Sequence, residues 1–241
     1  MAALALTAVV ILASFAGAAQ AKQWYTGAKE ELLKGSTATT MTLTKHPYAF
    51  ERGPKVENPK TFHIGWEFGS VAPKIPILMA ASGVECVECK ITNETPKPGV
   101  AQGTGRIKFT EVTVIEPAGE GCWVSGSTGV KGTLLSQPLR WEFVTVGGKE
   151  FIGFYPLTGS AYLPFSIGGG SCSALSGSYS IGGSLFAKGS GFSSNSTTHE
   201  FSFTEAIQKE AGGHLTTGVY PITFEGTLSE ALTSGQTWLA K

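Results

Sequence analysis

The chain contains no aspartate; all 18 acidic residues are glutamate. Calcium loops built on closely spaced Asp and Asn, aspartic dyads and Ser-His-Asp triads depend on the shorter carboxylate, so those classes recede. Net charge is zero and the 18 basic residues form no cluster. Nothing is left to drive binding to a phosphate backbone, and nucleic acid is not an expected partner. Local catalytic motifs are missing as well. No G-x-S-x-G occurs, the nearest stretches being GSCSA and GSYSIGG, and GSTGVKGT fails the Walker spacing. The histidines are His46, His63, His199 and His214, with no H-x-x-x-H pair among them, so neither metal nor cofactor is expected.

After residue 21 there is no long apolar run. The only such segment is MAALALTAVVILASFAGAAQA, which closes on the small-x-small step Ala19-Gln20-Ala21 read by a signal peptidase. It predicts an export signal over residues 1–21, cleaved before Lys22, with a secreted or cell-surface product that has no membrane contact after cleavage. No Lys or Arg precedes the apolar stretch, so an uncleaved N-terminal anchor is the alternative. Residues 22–241 suit a single all-β domain.

Glycine, in contrast, is abundant at 32 residues, Ser and Thr are frequent, and only 15% of residues are charged. That is the composition of short strands joined by tight turns. The fold expected is an antiparallel β-sandwich, with a β-barrel as the alternative. AKEELLK predicts a short N-terminal helix stopped by Gly35. STATTMTLT is β-branched; TFHIGWEF alternates, Phe62, Ile64, Trp66 and Phe68 against His63, Gly65 and Glu67, as a half-buried strand does. Pro73 and Pro76 predict a connection or an edge strand.

VECVECKITN and RIKFTEVTVI read as a long-looped hairpin whose second strand changes face near Thr110 and Glu111, where a bulge or bend is expected. The clearest hairpin is RWEFVTV-GGK-EFIGFYP. A three-residue turn pairs Val146 with Glu150, sets Trp141 opposite Tyr155 and puts Phe143 and Phe151 on one face. SAYLPFSI, GSYSI, GSLFA, HEFSFTEAIQ and GVYPITFEGTL supply further strands, and the C-terminal tail is expected to fray.

Cys86, Cys89, Cys122 and Cys172 are a nominal ligand set, but Cys122 and Cys172 are solitary where a zinc ribbon supplies two close pairs. After export, an even number of thiols predicts disulfides. A redox C-x-x-C sits at a helix N-terminus, and this one lies in a strand pattern. Zinc and free or redox thiols are the alternatives. Residues three apart on a regular strand face opposite sides, so Cys86 and Cys89 are expected to serve different partners. With the hairpin loop centred near Gly99, Cys86 falls opposite Val112, near the bend toward Cys122. The expected bonds are Cys86–Cys122 and Cys89–Cys172.

QWYTGAKEELLKGSTATTMTLT, GTGRIKFT, GCWVSGSTGVKGTLLSQPL and GSYSIGGSLF resemble segments of a large group of exported, uncharacterised actinobacterial β-rich proteins. The similarity spans most of the chain after residue 21. It implies export and a β fold, and carries no activity over to this chain. In that group a Cys follows an FTG-like segment, where this chain has Val112; this departure, with the extra Cys in VECVEC, fits Cys86 taking over the bond to Cys122, and the group's own pairing does not carry over directly.

Trp141, Phe143, Phe151 and Tyr155 are either core or an exposed platform that stacks on a sugar ring or a peptide. Glu142 and Glu150 share a face of the expected hairpin, and Glu85 and Glu88 flank the cysteines. A glycosidase needs two carboxylates about 5 to 9 Å apart across a cleft. His63 and Glu67, four residues along one strand, stand roughly 13 Å apart, too far to act together. Asn93-Glu94-Thr95 and Asn195-Ser196-Thr197 match the glycosylation pattern. The function expected is an exported non-catalytic protein with a structural or adhesive role. The alternatives are a module binding a cell-surface glycan, polymer or protein, and a secreted Glu-dependent hydrolase.

Overall fold

The computed structural model describes residues 21–44, 62–68, 75–116 and 121–241; residues 1–20 of the predicted export signal, His46 and Pro73 lie outside them. Strands β1 (Trp24–Thr26), β2 (Glu31–Leu32) and β3 (Ser36–Leu43) precede β4 (Phe62–Phe68) and the long β5 (Ile75–Thr92), which turns back as β6 (Gln102–Glu116). β7 (Trp123–Gly126) and β8 (Leu134–Leu135) are short. β9 (Leu139–Val146), β10 (Lys149–Pro156) and β11 (Ala161–Gly168) lead through a 3-10 turn, Gly170–Leu175, to β12 (Gly177–Ser190). β13 (Thr198–Phe203), the short helix α1 (Glu205–Glu210), β14 (His214–Thr217), β15 (Tyr220–Leu232) and β16 (Trp238–Ala240) follow.

The protein is all-β, its strands pair antiparallel, and its sheet faces pack across a common core as in a sandwich. The pairings also close on themselves. β9 pairs β6, and the path continues through β5, β3, β15, β13, β12 and β10 back to β9. Closure leaves none of these strands with a free edge along its whole length. Tyr162 of β11 reinforces it, its hydroxyl donating to Phe154 O of β10 and accepting from Leu185 N of β12. Burial pushes the Tyr162 phenol up to about 12.

The long strands exchange neighbours midway. β15 pairs β4 and β14 through Tyr220–Glu225, then β13 and β3 through Gly226–Leu232. The exchange needs a glycine at 226, because a Cβ there would come within 2.5 Å of the Phe62 ring. The face change expected in β6 is present. Ile107 and Phe109 are buried, Glu111 is exposed with φ +52, and burial resumes at Val112.

Several expectations are corrected. AKEELLK is a turn followed by β2, since so short a segment is a poor helix alone. Tertiary hydrogen bonds claim its backbone: Leu33 N donates to Trp24 O. In β4 His63 is 9% exposed beside Phe62 and Ile64 at 1% each, so this part of the strand is buried on both faces between β5 and β15. Pro76 keeps to the expectation of an edge: it lies in β5 at a stretch paired with β4 alone, past the end of the β6 pairing at Leu78. GSYSI and GSLFA are one strand, β12. HEFSFTEAIQ is strand only to Phe203, because Thr204 caps α1, its Oγ1 accepting from Ile207 N at 3.1 Å. The tail does not fray: β16 pairs β1, and Trp238 is 0% exposed.

The GGK hairpin is offset by one residue from its expected register. Gly147 and Gly148 both take positive φ, +58 and +78, the geometry of a two-residue turn, so Val146 pairs Lys149. A one-residue slip changes every partner. Trp141 stands opposite Phe154, Phe143 opposite Ile152, Val144 opposite Phe151 and Arg140 opposite Tyr155.

Candidate functional site

The register decides what becomes of the four aromatic residues. Trp141 is 1% exposed and stacks on Phe154 inside the ring, with centroids 6.0 Å apart. Phe143 packs at 5.4 Å from both Trp24 and Phe192, under the Lys22 ammonium. Phe151 and Tyr155 lie on the opposite, outer face of β10. Phe151 is buried against Phe186 and Ala211, beneath the segment that carries α1. Tyr155, half-buried, lies under the Arg140 guanidinium and edge-on to Phe186. The structure therefore does not bring the four together as one exposed platform.

The carboxylates are similarly divided. Glu142 and Glu150 lie on opposite faces of the hairpin, because Glu142 stands opposite Gly153 and Glu150 opposite Thr145. The Glu142 carboxylate is held by Lys97 Nζ at 2.7 Å and Arg140 Nη2 at 3.3 Å. Glu85 is paired with Lys108 across the β5–β6 ladder. A cleft of about 460 Å³ at the GGK end of the hairpin is lined by Lys149, Glu150, Phe151, Lys188, Gly189 and Glu210. It does bring two carboxylates together, Glu150 and Glu210. Each is committed: Glu150 accepts from Lys22 at 2.8 Å, and Lys149 pairs with Glu210. The hydrogen bond from Lys149 holds the Glu210 carboxyl below its ordinary range. An acid held ionised at neutral pH is no proton donor for glycoside cleavage.

The cysteines pair differently from the expectation. The bonds are Cys86–Cys89 and Cys122–Cys172, with Cα–Cα distances of 5.6 and 5.3 Å. The premise that strand residues three apart diverge fails because the strand is interrupted. Glu88 takes φ +56 and the register slips between Val87 and Lys90. The slip leaves Glu88 and Cys89 of β5 facing Gly105 of β6, a bulge that turns both sulfurs together. Cys86 stands opposite Ile107 instead of Val112, so its approach to Cys122 does not arise.

The interior also holds a polar pair that sequence reasoning missed. His199 of β13 and Glu230 of β15 stand directly opposite each other and are 1% and 0% exposed. Glu230 Oε1 accepts from Thr39 Oγ1 at 2.8 Å; Oε2 makes no hydrogen bond of ordinary geometry, its near neighbour being the Trp141 indole N–H. Burial pushes this carboxyl up to about 8. His199 Nε2 lies 2.7 Å from Trp238 O, with its ring between Phe192 and Trp238. Burial lowers its pKa, as it does that of His63. The missed signal was parity: the buried alternation of β13 and β15 places His199 and Glu230 on the inward face.

Asn93 is structural, 6% exposed. Its Oδ1 accepts from Trp24 N at 2.6 Å, and its Nδ2 donates to Trp24 O and Leu33 O at 3.0 Å each. Asn195 Nδ2 donates to Gly27 O. Among the described residues no three His, Cys, Asp or Glu side chains converge as a metal site, and no helix is long and apolar enough to cross a membrane. No protein-family model, curated protein or solved structure matches the chain.

Proposed function

We propose that this is an exported, disulfide-bonded, non-catalytic β protein with a structural or adhesive role at the cell surface or in the medium. The observation that carries the reading is the filled interior. Trp141, Phe154, Phe201 and Trp238, none more than 1% exposed, occupy the space where a binding barrel keeps a ligand cavity. Two disulfides suit an oxidising compartment. The cleft by the GGK turn has the volume of a ligand site, but its carboxylates are neutralised by lysines. The glycan-binding alternative loses its motive with Trp141 inside the core.

The test compares the wild-type chain with a Glu150→Gln/Glu210→Gln double variant on chromogenic glycosides and esters, alongside fractionation of producing cells. The reading expects no turnover above background in either protein, and the chain in the medium or cell-surface fraction. Wild-type turnover that the double variant lacks would overturn it in favour of the hydrolase.

A further inference from the structure

Two disulfides of different kinds sit in one chain. Cys122–Cys172 spans 50 residues and ties the segment before β7 to the 3-10 turn after β11, with Cys172 0% exposed. Cys86–Cys89 spans three residues and lies wholly within the β5 bulge. The ladder is intact on both sides of that bulge, through Cys86–Ile107 and Val87–Arg106 before it and Lys90–Thr104 and Ile91–Gly103 after it. Opening the bond therefore disconnects no element of the fold. Cys86 is half-buried, as Cys122 is, and its neighbours Glu85 and Glu88 are at the surface.

The site also accommodates the reduced state. The Cys89 sulfur lies 3.7 Å from Val87 O and 3.8 Å from Arg106 O, both within reach of a thiol S–H. Gly105 leaves room for that sulfur, since a Cβ there would run into Sγ and stand 2.8 Å from Cys89 Cα.

We propose that Cys86–Cys89 is a reversible thiol–disulfide exchange site for a small dithiol reductant, and that Cys122–Cys172 is the fixed cross-link. A thiolate of the reductant attacks the more accessible sulfur, that of Cys86. The S–S bond breaks, and its electron pair leaves on Cys89, which takes a proton and turns its S–H to the waiting carbonyls. The second thiolate of the reductant then attacks its own sulfur in the mixed disulfide, releasing Cys86 as a thiolate that takes the second proton. Two electrons and two protons pass to the protein, and the dithiol leaves as a disulfide.

The experiment incubates the native full chain with dithiothreitol at neutral pH without denaturant, quenches by alkylation at intervals, and maps the labelled peptides. Label is expected on Cys86 and Cys89 at least about tenfold faster than on Cys122 and Cys172, because the bulge opens with the ladder on both sides intact whereas the second bond ties two distant segments. Near-ultraviolet circular dichroism should stay native, and oxidised glutathione should restore the bond. A Cys86→Ser/Cys89→Ser variant should fold with Cys122–Cys172 formed. The proposal is overturned if all four cysteines label together, if labelling of Cys86 and Cys89 follows the rate of global unfolding, or if the double variant fails to fold.

Discussion

Replacing Glu230 with glutamine should remove a pH dependence that the wild-type protein cannot avoid. The carboxyl is 0% exposed, and burial raises it from 4.5 to about 8. The folded state therefore holds a proton that the unfolded chain releases above pH 4.5, and stability falls as pH rises toward 8. The slope is about 1.4 kcal/mol per pH unit, so the loss between pH 6.5 and 8 is about 2 kcal/mol. The histidines act in the opposite direction. His63 and His199 are lowered from 6.5 by burial, so the stability they contribute is present above pH 6.5 and fades as pH falls below it. In Glu230→Gln the amide oxygen can still accept from Thr39, but an NH2 meets the Trp141 indole N–H, at a cost of about 1 to 3 kcal/mol at acid pH. The assay is urea unfolding at pH 5, 6.5 and 8 with disulfides intact. The decisive quantity is the slope above pH 6.5: present in the wild type, absent in the variant. Wild-type stability that holds level or rises from pH 6.5 to 8, or a variant that keeps the slope, refutes the argument.

Deleting the disulfides should have unequal effects. Chain-entropy arithmetic gives about 4 kcal/mol for Cys122→Ser/Cys172→Ser and about 2 kcal/mol for Cys86→Ser/Cys89→Ser, read as the difference in denaturant midpoint at constant slope. Asn93→Ala removes three hydrogen bonds that fix Trp24 and Leu33, and should lower stability by about 2 to 4 kcal/mol. Limited proteolysis should then cut first between Lys22 and Gly35. Gly226→Ala drives a methyl into the Phe62 ring and should cost about 1 to 3 kcal/mol, seen as a lower melting temperature.

The class of fold was legible because strand signals are local. The β-branched run of β3, the face change at Glu111 and the long hairpin of β5 with β6 can all be read from alternation and turn residues. What escaped depends on a single residue of register. Counting Lys149 into the turn moved Trp141 from Phe154 to Tyr155, and with it the reading of which aromatics share a face. The disulfide pairing failed for a related reason. A non-glycine residue in the left-handed region, Glu88, is rare enough that a regular strand was the natural assumption, yet it is what lets Cys86 meet Cys89. The opposition of His199 and Glu230 was out of reach because it joins segments 31 residues apart through a pairing of β13 with β15 that no local pattern announces.

The most direct single measurement is disulfide-linked peptide mapping, by mass spectrometry, of the protein recovered from the medium or cell surface of producing cells. The account predicts a chain beginning at Lys22, one peptide carrying Cys86 bonded to Cys89, and a cross-linked pair carrying Cys122 and Cys172. A Cys86–Cys122 link, free thiols at all four positions, or a retained apolar N-terminus would contradict it.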